Sequence, residues 1–332
     1  MATVVTSTIG SGRDYSTLAA WEAAAPANLV TSDEVWEGLV YAEGGGTDGE
    51  WTLSTTLTIS GSTVDSTRFK RLAAASGESF ADDAAPRLRY DTAKGVAIRG
   101  TGLYGNASPI TTSESYFEVE GLQLKGNNAI AGLSIGSSQT GIKVKRCILD
   151  QGDRTGYALN FGGFGSGSTV ENCVIITGSV LSYSNPTYKN CTIFTDASSR
   201  TFIAEIYGSQ AIFTNCAVFG FTTLGSGINS SSSYNATNLS SFTGSNNLTS
   251  LTASSQFENT TYGASFDLRI KTGSALIDAG TSSGAPSADA FGTSRPQGSA
   301  YDIGAHELVV AAASLSARGT VVRQAMNRAS GY

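Results

Sequence analysis

Paired carboxylates are the residues of this chain whose spacing best suits chemistry. Glycoside hydrolysis needs two carboxyl groups about 5 to 9.5 Å apart, one of them protonated. Three pairs qualify by position: Glu118 with Glu120, Asp150 with Asp153, and Asp196 with Glu205. Residues two apart on a strand share a face, so Glu118 and Glu120 come within range, although outward carboxylates are expected to be solvated charge. A lyase would gather acids around Ca²⁺ beside a Lys or Arg base, and Asp150, Asp153, Lys143, Lys145 and Arg146 form a sparse version of that set. His306, the single histidine, lies in a terminal segment where packing is the expected role. Tyr157, Phe161, Phe164, Tyr183 and Tyr188 fall near successive loops, where rings either stack on sugars or cover a core. No nucleophile elbow, phosphate loop, dinucleotide fingerprint or metal-ligand spacing occurs, so neither a catalytic residue, a metal nor a cofactor is expected.

The elements that would position these groups emerge from an internal repeat. YFEVEGLQLKG (116–126), IKVKRCILDQG (142–152), STVENCVIITG (168–178), PTYKNCTIFTD (186–196) and AIFTNCAVFG (211–220) superimpose without gaps. In that alignment Gly121, Cys147, Cys173, Cys191 and Cys216 share one column, at separations of 26, 26, 18 and 25 residues. The column before it holds Glu120, Arg146, Asn172, Asn190 and Asn215. Apolar and polar residues alternate around the columns, so each copy reads as a strand. A period this short does not accommodate a strand-helix-strand unit of thirty or more residues. It suits one coil of a parallel β-solenoid, in which a column becomes a ladder with steps of about 4.8 Å. The expected fold is all-β: a single right-handed parallel β-helix of roughly ten coils.

Boundaries follow from the same pattern. Residues 1–33, with GRDYSTLAAWEAAAP as a short helix capped by Asp14 or Ser16, are read as an N-terminal cap that plugs the first coil. Residues 34–307 form the solenoid, and residues 308–332 a C-terminal extension. The cysteines are expected to be reduced and packed inward, because no C-x-x-C pair occurs and disulfides are rare in reducing compartments. The asparagine column, Asn172, Asn190 and Asn215, is expected to bond between coils.

Composition agrees with this class and excludes others. The chain is 40% hydrophobic and 14% charged, with 39 Gly and 6 Pro, which argues against disorder, collagen and a helical bundle. A net charge of -6 argues against nucleic acid as the main partner. No apolar run is long enough for a membrane span, and MATVVTSTIGSGRDYSTL lacks the basic and apolar regions of a secretory signal.

Two stretches carry a resemblance. DLRIKTGSALIDAGTSSGAPSADAFGTSRPQGSAYDIGAHE (267–307) is similar to the closing segment of right-handed parallel β-helix repeat proteins, with Asp278, Gly280, Asp289, Gly292, Arg295, Pro296, Asp302, Gly304 and Glu307 at the matching positions. His306 stands where that family usually has Tyr or Phe. IGSGRDYSTLAAWEAAAPANLVTSDEVWEGLVYAE resembles β-helical proteins of tailed phages and prophages. The resemblance implies a non-enzymatic structural component of a tailed-phage virion, made in the host cytoplasm: a capsid decoration or head-spike protein, or a fibre. A carbohydrate-binding or carbohydrate-degrading tailspike is the alternative, and a bacterial surface adhesin a further one. Expected partners are two further copies in a homotrimer, other virion proteins and a host glycan. The extension combines apolar residues with Arg318, Arg323 and Arg328 and no acid, and is read as the attachment or assembly element.

Overall fold

The computed structural model describes residues 1–42, 49–101, 103, 108–126, 131–152, 156–162, 166–182, 185–196, 201–202 and 210–309. Among the described residues, three parallel sheets of five or more strands wind around one interior, with a two-stranded parallel pair, Thr201–Phe202 and Thr223–Leu224, beside them. The first contains eight strands: Thr3–Ile9, Glu34–Val40, Lys70–Ala74, Glu118–Glu120, Lys143–Lys145, Thr169–Glu171, Thr187–Lys189 and Ile212–Thr214. The second also has eight, from Glu50–Leu53 through Ala97–Gly100, Gln123–Lys125, Ile148–Asp150, Val174–Ile176, Thr192–Phe194 and Ala217–Phe219 to Ala236–Thr237. The third has five, from Leu57–Ile59 to Ser179–Ser182. Each strand pairs with its counterpart one turn before and after, which makes the chain a right-handed parallel β-helix.

The corner between the first and second sheets corrects the repeat alignment in one place. Glu120 pairs with Lys145, and Gln123 with Ile148, so Gly121 lies level with Arg146, Asn172, Asn190 and Asn215. It is therefore Leu122 that precedes Cys147, Cys173, Cys191 and Cys216 in the inward column. The physical reason is the backbone: all five corner residues have positive φ, from 47 to 72°. Gly and Asn adopt that left-handed region most readily. Gly121 serves there as a corner residue, and the gapless superposition had matched it by size to cysteine. The four cysteines are buried and free, and burial pushes the Cys173 and Cys216 thiols well above their usual range.

The N-terminal boundary also differs from expectation. Residues Thr3–Ile9 pair in parallel with Glu34–Val40 and form the first strand of the first sheet, so the helical plug is an insertion after it. The helix Leu18–Ala23 is capped by Thr17, whose side chain accepts from Ala20 N at 3.0 Å. Asp14 instead accepts from the backbone and hydroxyl of Thr8. Trp21 is fully buried and lies over Gly38, where a Cβ would come within 2.7 Å of the indole. A buried ion triad ties the plug to the coils: Lys70 Nζ reaches Glu22 at 2.8 Å and Glu114 at 3.0 Å, and burial raises the Glu22 carboxyl above its usual range.

The two long sheets differ on their outer faces. In the first, the middle residue of the last four strands points inward (Val144, Val170, Tyr188, Phe213) and its neighbours are half-exposed. In the second, Ile148–Asp150, Val174–Ile176, Thr192–Phe194 and Ala217–Phe219 are buried at every position. Both faces are covered because the chain after the last coils turns back. The hairpin of Phe257–Asn259 and Asp267–Ile270, the only antiparallel strand pair among the described residues, lies along the outside of the second sheet. Phe257 meets Phe219 at 5.3 Å and Phe266 meets Phe194 at 5.5 Å between ring centroids. Leu268, Ile270, Leu276, Ala290, Ile303 and Ala305 complete a second apolar core there. This accounts for finding eight strands in each long sheet instead of about ten coils: the last part of the chain covers the flank.

Candidate functional site

The carboxylate pair Glu118 and Glu120 does share an outward face, as its spacing requires, but it is enclosed by cations. Glu118 lies 3.3 Å from Arg71, 3.6 Å from Lys143 and 3.0 Å from Lys145. Glu120 pairs with Arg71 and, at 2.7 Å, with Arg146. Burial alone would raise the Glu120 carboxyl; the two guanidiniums outweigh it and hold the group below the usual carboxylate range. These are rungs of a ladder of alternating sign in which each charge faces its opposite one coil away, from Glu37 through Arg71 to Glu118, and from Glu120 towards Glu171 and Lys189. Solvated charge was expected, whereas Glu118 is only 5% exposed.

The lyase set does not converge. Lys143 and Lys145 belong to the first sheet and Arg146 to the corner, whereas Asp150 is on the outer face of the second sheet and fully buried. Among the aromatics, Tyr188 and Phe161 are inside the solenoid, Tyr188 stacked on Phe213 with centroids 4.7 Å apart. Both are therefore corrected from loop rings to core, because they occupy inward positions of strands. Tyr157 is half-buried. Asp153, Phe164, Tyr183, Glu205, Arg318, Arg323 and Arg328 lie outside the described residues, as does the extension from residue 310 onward.

The C-terminal motif is a self-contained clasp on the corner column. Arg295 forms a fully buried pair with Glu307 at 2.7 Å and donates to the carbonyls of Asp302 and Gly304. Asn172 donates to Ala288 O at 2.8 Å, Asn190 to Asp302 O at 3.2 Å, and Asn215 to Thr281 O at 2.7 Å. Asn215 also donates to Asn190 Oδ1 at 3.2 Å. Burial lifts the Asp302 carboxyl to about 6 and lowers His306 to about 4. His306 accepts from Ile270 N through Nδ1 and packs edge-on against Phe291. Packing is thus its observed environment.

One pocket that opens to solvent lies where the covering hairpin ends. Its tip, Tyr262 to Phe266, meets the early strands of the second sheet and encloses about 450 Å³ with Glu50, Arg89, Tyr90, Asp91, Arg99 and Lys125. Tyr90 Oη donates to Glu50 at 2.6 Å, and Arg99 pairs with the same carboxylate at 2.8 Å. Burial, and then the bond to Glu50, push the Tyr90 phenol far above its usual range. Lys125 Nζ stands 4.9 Å from the centre of the Tyr90 ring, a cation–π distance. Sequence reasoning missed this site. Its strand residues carry an alternation signal in GVAIRG and GLQLKG, but nothing local announces that Tyr262 reaches them.

No protein-family model matches the chain, and no curated protein does. Among solved structures it is similar to pectate lyase Pel9A, at 15% identity and a TM-score of 0.37, over 92% of this chain and 97% of that one. It is also similar to the deglycosylated pectin methylesterase from Aspergillus niger, at 15% identity and a TM-score of 0.38, over 80% and 94%. Likeness at this level transfers no residue and no activity. Among the described residues no group of acids, histidines or cysteines is arranged to hold a metal ion, and no helix is long and apolar enough to cross a membrane.

Proposed function

We propose that the protein is a non-enzymatic, carbohydrate-binding β-helix of a tailed-phage particle. The observation that carries the carbohydrate reading is the flank pocket, which sets two tyrosine rings beside half-buried cations in an opening of the size small ligands use. Aromatic faces stack on sugar rings, and the flanking charged groups hydrogen-bond hydroxyls. Catalysis is not part of the proposal. Glu50, Glu118 and Glu120 are each engaged by cations, whereas a glycosidase pair keeps one carboxyl free to carry a proton. The Tyr90 phenol, held protonated, is no base.

The particle part of the proposal is supported by the terminal segments that resemble phage β-helix proteins. It includes assembly as a trimer and attachment through residues 308–332, with Arg318, Arg323 and Arg328 meeting acidic groups. Incubating the purified protein with host capsule and lipopolysaccharide tests the first part: retention on the polysaccharide with no change in its size distribution is expected. Depolymerisation would replace this reading with an enzymatic one. Mass spectrometry of purified virions tests the second, and absence from the particle would end it.

A further inference from the structure

Charges on the outer face of the first sheet alternate in sign from coil to coil, so that Lys145 sits between Glu120 and Glu171 in the ladder. The second sheet breaks that rule inside the pocket. Arg99 and Lys125 are register partners on adjacent strands, one coil or about 4.8 Å apart, with like charge on the same face. Such pairs are destabilising. Glu50 compensates only Arg99, and it is shared with the Tyr90 hydroxyl. Lys125 has the Tyr90 ring beneath it and, among the described residues, no carboxylate within ion-pair distance. Asp150 is its partner on the other side in register, but its oxygens accept from Tyr262 Oη at 2.8 Å and from Gly152 N at 2.9 Å. Arg99 also keeps its Nε buried and without a partner. Of the two acids that line the opening, Glu50 is engaged by Arg99 and Asp91 by Arg89, so that three lining cations face two carboxylates and Lys125 is the cation left over.

We propose that the pocket selects an acidic saccharide, the carboxylate of a hexuronic acid residue being held between Arg99 and Lys125 while the sugar face lies against Tyr262, which is 40% exposed. A carboxylate matches a guanidinium geometrically and supplies the charge that the ladder lacks at this rung. The adjacent Tyr262 ring gives the site an apolar wall that a free inorganic anion does not use. This inference rests on the carbohydrate-binding reading above and narrows it to a class.

The test uses the full chain and tetrasaccharides of glucuronic, galacturonic and mannuronic acid, each against the neutral hexose tetramer of the same linkage, by calorimetric titration. Binding of at least one acidic tetramer, at least tenfold tighter than its neutral counterpart and weakened by added salt, is the expected result. Lys125→Met, which breaks no ion pair, should remove that tenfold preference, bringing the acidic tetramer down to the affinity of its neutral counterpart; Arg99→Gln, which also releases Glu50, should remove it too. Equal affinity for acidic and neutral tetramers would overturn the inference while leaving carbohydrate binding in place. Binding of neither kind would end both. Acid preference that survives both substitutions would put the anion site elsewhere on the protein. Displacement of the acidic tetramer by inorganic sulfate at equal concentration would reduce the pocket to a site for any small anion.

Discussion

Tyr262 Oη donates to the Asp150 carboxylate at 2.8 Å across 112 residues of sequence. That bond fastens the tip of the covering hairpin to the middle of the second sheet, and it fixes one wall of the pocket. Without it the tip would be held by Phe266 against Phe194 and by the backbone carbonyls that Arg87 and Arg89 reach at Gly263 and Ala264.

Tyr262→Phe should therefore destabilise the protein by about 1.5 to 3 kcal/mol, the range for a hydrogen bond to a charged group. Amide hydrogen exchange should accelerate at residues 260–267 and stay unchanged in the first sheet. Uniform acceleration throughout would mean that the bond is not a local latch.

Arg71 is the hub of the ion ladder, with Glu37, Glu118 and Glu120 around it. Arg71→Met should cost about 2 kcal/mol in urea unfolding, because it takes the shared cation from the buried Glu37 and Glu118 and the half-buried Glu120, of which only the last two keep other cations. Adding Glu118→Gln should recover part of the loss. A double variant no better than the single one would show that Arg71 acts through packing alone.

The corner column allows a comparison at constant fold. Asn215→Ala forces a Cβ-bearing residue other than Asn into φ 54° and removes the bonds to Asn190 and Thr281, so a loss of about 2 to 4 kcal/mol is expected. Asn172→Gly keeps the backbone at ease and gives up only the bond to Ala288, with an expected loss of about 1 kcal/mol. Equal losses would deny the left-handed backbone any part in residue choice.

Two groups in the clasp give opposite pH dependences. Asp302 titrates near 6 in the folded protein, above its ordinary 3.8, so the stability it contributes is full below pH 4 and is lost as pH rises through about 6. His306 is lowered from 6.5 to about 4, so its contribution is present above 6.5 and is lost as pH falls through about 4. In the wild type the two offset each other between pH 4 and 6. Asp302→Asn should make stability fall more steeply on acidification, and His306→Phe should make it rise. Unfolding free energies at several pH values measure both slopes, and identical slopes in all three proteins would contradict the assignment.

The ladder architecture was legible because Cys147, Cys173, Cys191 and Cys216 repeat a small residue after a corner, and the solenoid turns that repeat into a column. The misplacement of Gly121 has a simple origin: glycine resembles cysteine in size and asparagine in backbone freedom, and only the register between strands decides which property places it. The buried outer face of the second sheet was also written in the sequence. CVII and CAVF are continuous apolar runs, and CTIF is broken by a single threonine, unlike the alternating KVK and TVE before them, and such runs mark strands covered on both sides. The pocket was not legible in this way. Lys125, Tyr90 and Tyr262 meet only because the hairpin crosses the flank, a relation carried by tertiary packing with no local periodicity behind it.

The covering segment also sets an order on synthesis. Ile176, Phe194 and Phe219 are outward residues of the second sheet whose apolar neighbours, from Phe257 to Ala305, come later in the chain. A ribosome adding about 5 to 20 residues per second takes on the order of ten seconds to pass from Phe219 to Ala305. During that interval the coils already made present an oily stripe with nothing over it. Nascent chains, and any fragment ending before residue 257, therefore expose the surface most prone to join one molecule to another, and holding that stripe apart until the last segment arrives is a task for chaperones.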